Sequence, residues 1–148
     1  MSVPDVFLDT SVLVRAVIED LPSHQEARSY LEAVRDDRAR GAIATHALAE
    51  FFATITALPS RPQHGPKEAA ALTDRISDLL QIVDLRVEDY KNAINRMVEH
   101  DLSSGAVYDA LHVAGAERVD AAELATFNVR DFRRMSPKAP TQLVVLPP

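Results

Sequence analysis

Asp9, Glu50 and Asp109 are the side chains whose type and setting point most directly to chemistry, because each carboxylate sits in apolar surroundings. Asp9 ends an apolar run in VFLDTSVLV, Glu50 lies within THALAEFFATI, and Asp109 lies within GAVYDALHVAGA. Carboxylates are seldom buried unless they are paired or bind a metal, so three of them on apolar faces suggest one shared cation site. Two carboxylates about 4 Å apart repel by roughly 4 kcal/mol at an effective dielectric near 20, a cost that a divalent ion removes. The chain contains no cysteine, and oxygen ligands alone favour Mg2+ or Mn2+ over zinc. The chemistry such a site serves best is phosphoryl or phosphodiester hydrolysis.

Each acid also has a plainer reading. Asp9 follows a strand-like run and precedes a helix, where an aspartate cap contributes about 1 kcal/mol. Glu50 lies opposite the stripe of Leu48, Phe51 and Ile55, among His46, Ala53, Thr54 and Ala57, and an exposed Glu is ordinary on any helix. Asp109 shares a face with Gly105, Ala106, Val113 and Ala116, and the opposite face is apolar too, so its alternative is a buried Asp held by Arg or backbone donors. None of these roles explains all three acids together. His46 and His112 lie one turn from Glu50 and three residues from Asp109, but at such positions imidazoles more often pack than ligate.

The elements that must carry these residues follow from spacing. Val3 to Leu8 reads as a strand, and Asp9-Thr10-Ser11 caps a helix running through Val12, Leu13 and Ala16. A surface helix is expected from Ser23 to about Arg40, stopped by Gly41. Ala42 to Ala44 reads as a short strand, and Thr45 as the cap of the Glu50 helix. Pro59 to Pro66 is a loop by its Pro and Gly content, followed by a helix with Leu72, Ile76, Leu79 and Leu80 on one side. Gln81 to Leu85 is a strand, and the helix Val87 to His100 turns Tyr90, Ala93, Ile94, Met97 and Val98 inward. The Asp109 helix opens at Ser103-Ser104-Gly105 and runs to about Arg118. Two last strands, Glu123 to Thr126 and Gln142 to Leu146, are separated by a turn over Asn128 to Arg134. Such alternation predicts an α/β fold with a mostly parallel sheet covered on both faces.

The chain has 148 residues, 47% of them hydrophobic, which suits a single domain over residues 1–148. A net charge of -6 argues against coating nucleic acid by bulk electrostatics, although a bound cation reverses the sign locally. No basic leader with an apolar core and no membrane-length apolar run is visible. With no cysteine to oxidise, a cytoplasmic location is the expectation.

The motifs VFLDTSVLV, ALAEFF, YDALHVAGA and LATFNVRDF occur in that order over nearly the whole chain. Together they resemble PIN-domain ribonucleases, and within them the VapC-type toxins of toxin–antitoxin pairs. The resemblance implies a three-layer α/β/α sandwich with about four to five strands and Mg2+- or Mn2+-dependent cleavage of single-stranded RNA that leaves a 5′ phosphate. It also implies a VapB-like antitoxin and a homodimer. It assigns the metal to Asp9, Glu50 and Asp109, with Thr10, Ser11 and Thr126 in support. Many members carry an Asp where this chain has Asn128. Asn128 offers a neutral oxygen and Asp131 a contribution through water, so one ion is expected to be held firmly and a second more weakly. Arg130, Arg133 and Arg134 follow closely and suit RNA phosphates, or else form a solvated turn.

Other hydrolase and nucleotide-binding patterns fit poorly. A phosphatase of the HAD type needs a second Asp where Ser11 stands, no acidic pair near Asp9 suits a receiver domain, and no P-loop or Gly-rich dinucleotide fingerprint occurs. The alternative from another class is a non-catalytic protein of PIN-like fold that binds RNA or a partner.

Overall fold

Five short apolar runs form one sheet in the computed structural model, which describes residues 3–59 and 63–147. Residues 60–62, in the middle of the expected Pro-rich loop, lie outside the described residues. The order along the chain is β1 (Val6–Leu8), α1 (Thr10–Val17), α2 (His24–Arg35), β2 (Gly41–Ala44), α3 (Thr45–Ala57) and α4 (Pro66–Leu79). It continues with β3 (Gln81–Val83), α5 (Val87–Glu99), α6 (Ala106–Arg118), β4 (Glu123–Thr126), α7 (Val129–Arg134) and β5 (Gln142–Val145). All the strand pairings are parallel and the spatial order is β3-β2-β1-β4-β5.

Alternate residues of each strand face opposite layers, so Val6 and Leu8 join α1 to α4 on one side while Phe7 packs with α6 and α7 on the other. The third layer is completed by α5, whose Ala93 and Met97 pack with Ala106, Ala110 and Leu111 of α6. Helix α6 is therefore enclosed between the sheet and α5, which is why its sequence is apolar all round. Val6 to Leu8 pair with β4 on one side, and Val6 and Phe7 pair with β2 on the other. The strand order reverses direction at β1, and the C-terminal ends of β1 and β4 open the crevice where ligands bind in sheets of this kind.

Several boundaries differ from the expected ones. Helix α2 ends at Arg35 because Asp37 takes a left-handed conformation (φ 57°) and the amides of Arg38 and Ala39 both turn back to the Ala33 carbonyl. Gly41 begins β2 instead of stopping a helix; a Cβ there would meet Leu80 Cδ2 and Val34 Cγ2, each at 2.8 Å. Thr45 is the first residue of α3, and its hydroxyl accepts from the Leu85 amide at 3.4 Å, so it ties the chain after β3 to α3 without capping the helix. Residues 129–134 are a helix, not a turn, held by the buried Phe132. On α5, Tyr90 (43% exposed), Ile94 (54%) and Val98 (76%) face outward, because only the Ala93–Met97 edge meets α6. No helix among the described residues is long and apolar enough to cross a membrane.

Candidate active site

Asp9 stands at the end of β1 and caps α1, its Oδ1 accepting from the Val12 amide at 3.3 Å and from the Ser11 hydroxyl. Its Oδ2 accepts from the Thr126 hydroxyl at 2.6 Å. Ser11 Oγ in turn accepts from the Phe127 amide at 3.2 Å, and Thr126 Oγ1 from the Asn128 amide at 2.9 Å. Ser11 and Thr126 thus fasten the end of β1 to the end of β4. The cap reading of Asp9 is correct as far as it goes, yet the carboxylate is only 3% exposed and lines a cleft of about 350 Å³.

Glu50 and Asp109 line the same cleft, with Thr10, His112 and Asn128. Thr10 donates its hydroxyl to Glu50 Oε1 at 3.0 Å, which ties α1 to α3. His112 Nε2, from α6, lies 3.0 Å from the same oxygen, and His46 Nε2, one turn before Glu50 on α3, lies 3.2 Å from it. Burial pushes the Glu50 carboxyl up, but the hydrogen bonds from His112 and His46 outweigh it and hold the group well below the usual carboxylate range. Glu50 is therefore ionised. Burial lowers the pKa of His46, with Glu50 opposing, so a neutral imidazole donating from Nε2 satisfies both residues.

Asp109 behaves in the opposite way. Burial, then the negative charge of Asp9, push its carboxyl up to about 7; His112 opposes this, while Asp131 and Glu50 add to it. Its Oδ2 accepts from Asn128 Nδ2 at 2.9 Å, so the amide end of Asn128 meets the acid. Asp109 and Asn128 also line a second groove with Arg130, Asp131 and Arg134, which continues from the first cleft past α7. Arg134 is anchored to the His100 carbonyl at 3.1 Å. Arg133 is not among the residues lining that groove.

The donor set fits a divalent cation, since Asp109 is pushed towards protonation by burial and by the negative charges of Asp9, Asp131 and Glu50, a cost that a bound cation removes. Asp9, Glu50 and Asp109 supply hard oxygen donors, while Asn128 turns its amide nitrogen, not its oxygen, towards Asp109. Separately, one ligand atom each from His46, Glu50 and His112 lie within 4.8 Å of one another. The two histidines gave only a weak signal in sequence, because helical spacing placed His46 beside Glu50 but not α6 against α3. The sequence motifs do not single out Arg15. It lines the cleft, lies 4.3 Å over the Phe127 ring and donates to the Pro22 carbonyl at 3.2 Å. A lone cation in the apolar run SVLVRAV was the available clue.

Residues 6–137 match the sequence model of the PIN domain. The chain belongs to the PIN domain family. Among curated proteins, this PIN domain is 30% identical to Ribonuclease VapC27 of Mycobacterium tuberculosis over 128 residues, which cover 86% of this chain and 87% of the relative. Among solved structures, it is similar to VapC20 of M. tuberculosis, described as a sarcin-ricin loop cleaving toxin, with TM-score 0.68 and 18% identity over 86% of this chain and 93% of that one. It is also similar to VapBC2 of Rickettsia felis bound to a DNA fragment from its promoter, with TM-score 0.66 and 19% identity over 96% and 98% of the two chains. At those identities the structural likeness is one of fold, and the five-stranded parallel sheet between helical layers is the PIN-like α/β/α sandwich.

Proposed function

We propose that this PIN domain is a metal-dependent endoribonuclease that cuts single-stranded RNA, and that it is the toxin of a toxin–antitoxin pair. The observation that carries the reading is that Asp9, Glu50 and Asp109, from three distant segments, line one cleft at the end of the sheet. The 30% identity to a VapC ribonuclease over most of both chains supports the activity. The fold shared with VapBC complexes supports a VapB-like antitoxin as partner.

Asp9, Glu50 and Asp109 hold Mg2+ or Mn2+, with Asn128 and Asp131 at the margin. A divalent ion there supplies Lewis acidity for hydrolysis of a phosphodiester. Water adds to phosphorus, the bond to the 3′ oxygen breaks, and the products carry a 5′ phosphate and a 3′ hydroxyl. Thr10 fixes the rotamer of Glu50, while Ser11 and Thr126 fix that of Asp9. Arg130 and Arg134 line the adjoining groove and pair with backbone phosphates. Arg133, outside that lining, contributes at most to the approach of RNA.

Purified chain freed of antitoxin should cut labelled single-stranded RNA with Mg2+ or Mn2+ and not with EDTA. Asp9→Asn should lower cleavage by at least about a hundredfold if metal ligation is lost. RNA that is bound but never cut, under every divalent ion tried, would transfer the chain to the non-catalytic reading. The homodimer belongs to the same proposal. The exposed row Val87, Tyr90, Ile94 and Val98 on α5 is free for a second copy, and sedimentation of the purified chain decides it.

A further inference from the structure

We propose that His46, Glu50 and His112 form a second cation position, suited to a transition-metal ion and sharing Glu50 with the carboxylate centre. The inference rests on the nuclease reading only through that shared residue. Glu50 Oε1 meets His112 Nε2 at 3.0 Å, His46 Nε2 at 3.2 Å and Thr10 Oγ1 at 3.0 Å, and Thr10 Oγ1 lies 3.3 Å from His112 Nε2. A carboxylate oxygen offers two lone pairs, so one atom faces three donors. Separations of this size also match neighbouring ligands around one ion, about 3.0 Å in an octahedron and about 3.4 Å in a tetrahedron with bonds near 2.1 Å.

The arrangement is held from three elements. His46 and Glu50 are one helical turn apart on α3, His112 comes from α6, and Thr10 from α1. The two rings pack at 4.2 Å between centroids, and His112 is 1% exposed. Both Nδ1 atoms are buried with no partner among the described residues. The Nε2 atoms therefore make all the polar contacts of these rings, His46 Nε2 also facing the Tyr108 carbonyl at 3.1 Å, and an ion taken up at Nε2 shifts the ring proton of His46 to Nδ1. Two imidazoles and one carboxylate are a donor set that Mn2+, Co2+ or Zn2+ accepts, whereas Mg2+ prefers oxygen alone. The same pocket thus offers two positions that differ in hardness, with Glu50 between them.

The test uses the full chain with Mg2+ in excess to fill the carboxylate centre, and Co2+ as the reporting ion. One equivalent of Co2+ should bind by equilibrium dialysis and show the visible absorption of nitrogen-ligated cobalt. His46→Gln and His112→Gln should each weaken Co2+ binding by at least about tenfold, whereas Asp109→Asn should retain the cobalt spectrum. Because His112 is buried, pulsed EPR of the unaltered chain loaded with Mn2+ gives an independent reading, with nitrogen couplings from two imidazoles expected. Absence of nitrogen couplings, or Co2+ affinity unchanged in His46→Gln, would overturn the proposal. A chain that shows the couplings but leaves RNA uncut under every divalent ion tried would support this cation position and overturn the nuclease reading instead.

Discussion

Asp109 is the residue at which function and stability pull apart. Its carboxyl titrates near 3.8 when unperturbed and is pushed up to about 7 in the fold by burial and by Asp9. The native state therefore holds a proton that the unfolded chain has released between those values, and metal-free stability falls as pH rises from about 4 to about 7. Asp109→Asn removes the penalty. In EDTA at pH 8 the variant should be more stable than the parent by on the order of 2 kcal/mol, after screening at a partly exposed site is allowed for. At pH 4 the difference should vanish; urea denaturation at both pH values measures it, and an equal difference at both would refute the cause. Asn128→Asp tests the neighbouring position. It replaces an amide donating at 2.9 Å to Asp109 with a second carboxylate, so the metal-free protein should lose stability at neutral pH. Mn2+ should then bind about tenfold more tightly, as titration calorimetry would show; unchanged affinity would remove Asn128 from the metal's surroundings. The acids were legible in sequence because a charge inside an apolar run is costly wherever the run folds. The histidines beside Glu50 were not, since their meaning depends on α6 crossing α3.

Gly115 in α6 shows how an element carries its site. A Cβ there would lie 2.7 Å from Phe7 Cζ, and Phe7 is fully buried in β1. The missing side chain lets α6 approach the strand that ends in Asp9, which sets the distance from Asp109 to Asp9. Alanine gains helix propensity of about 1 kcal/mol, but overpacking against a fixed ring costs typically 1–3 kcal/mol. Gly115→Ala should therefore be destabilising overall, with a lower denaturation midpoint; a raised midpoint would mean that the ring moves freely. Strands were read with small boundary errors because each is a short apolar run between breakers. The buried face of α5 is not legible in sequence because Tyr90, Ile94 and Val98 keep the same spacing as Ala93 and Met97, and periodicity cannot tell which of two apolar stripes meets the protein. The helix over 129–134 is not legible either, because six residues are too few to establish a helical period, and its anchor Phe132 is a single buried ring.

The molecule as a whole brings Asp9, Glu50 and Asp109 together at the ends of β1 and β4 and the helices around them, which would make metal binding there a matter of global stability. Asp9, Glu50 and Asp109 come from α1, α3 and α6 or their caps, so an ion held by all three cross-links segments that separate on unfolding. An ion that binds the native state alone stabilises it by about 2.7 kcal/mol at a hundred times its dissociation constant. For a chain of 148 residues that corresponds to roughly 5–10 °C in melting temperature. Mg2+ should raise the melting temperature of the unaltered protein by this amount and EDTA should reverse it. The increment should also be larger at pH 8 than at pH 5, because at pH 5 the ion must displace the proton held by Asp109. Asp9→Asn should melt at nearly the same temperature with and without Mg2+, which prefers oxygen donors alone, since the substitution removes a ligand and leaves the fold's apolar layers untouched. A full Mg2+ increment in Asp9→Asn would mean that the stabilising ion sits elsewhere, and the three-acid centre would lose its claim to the metal.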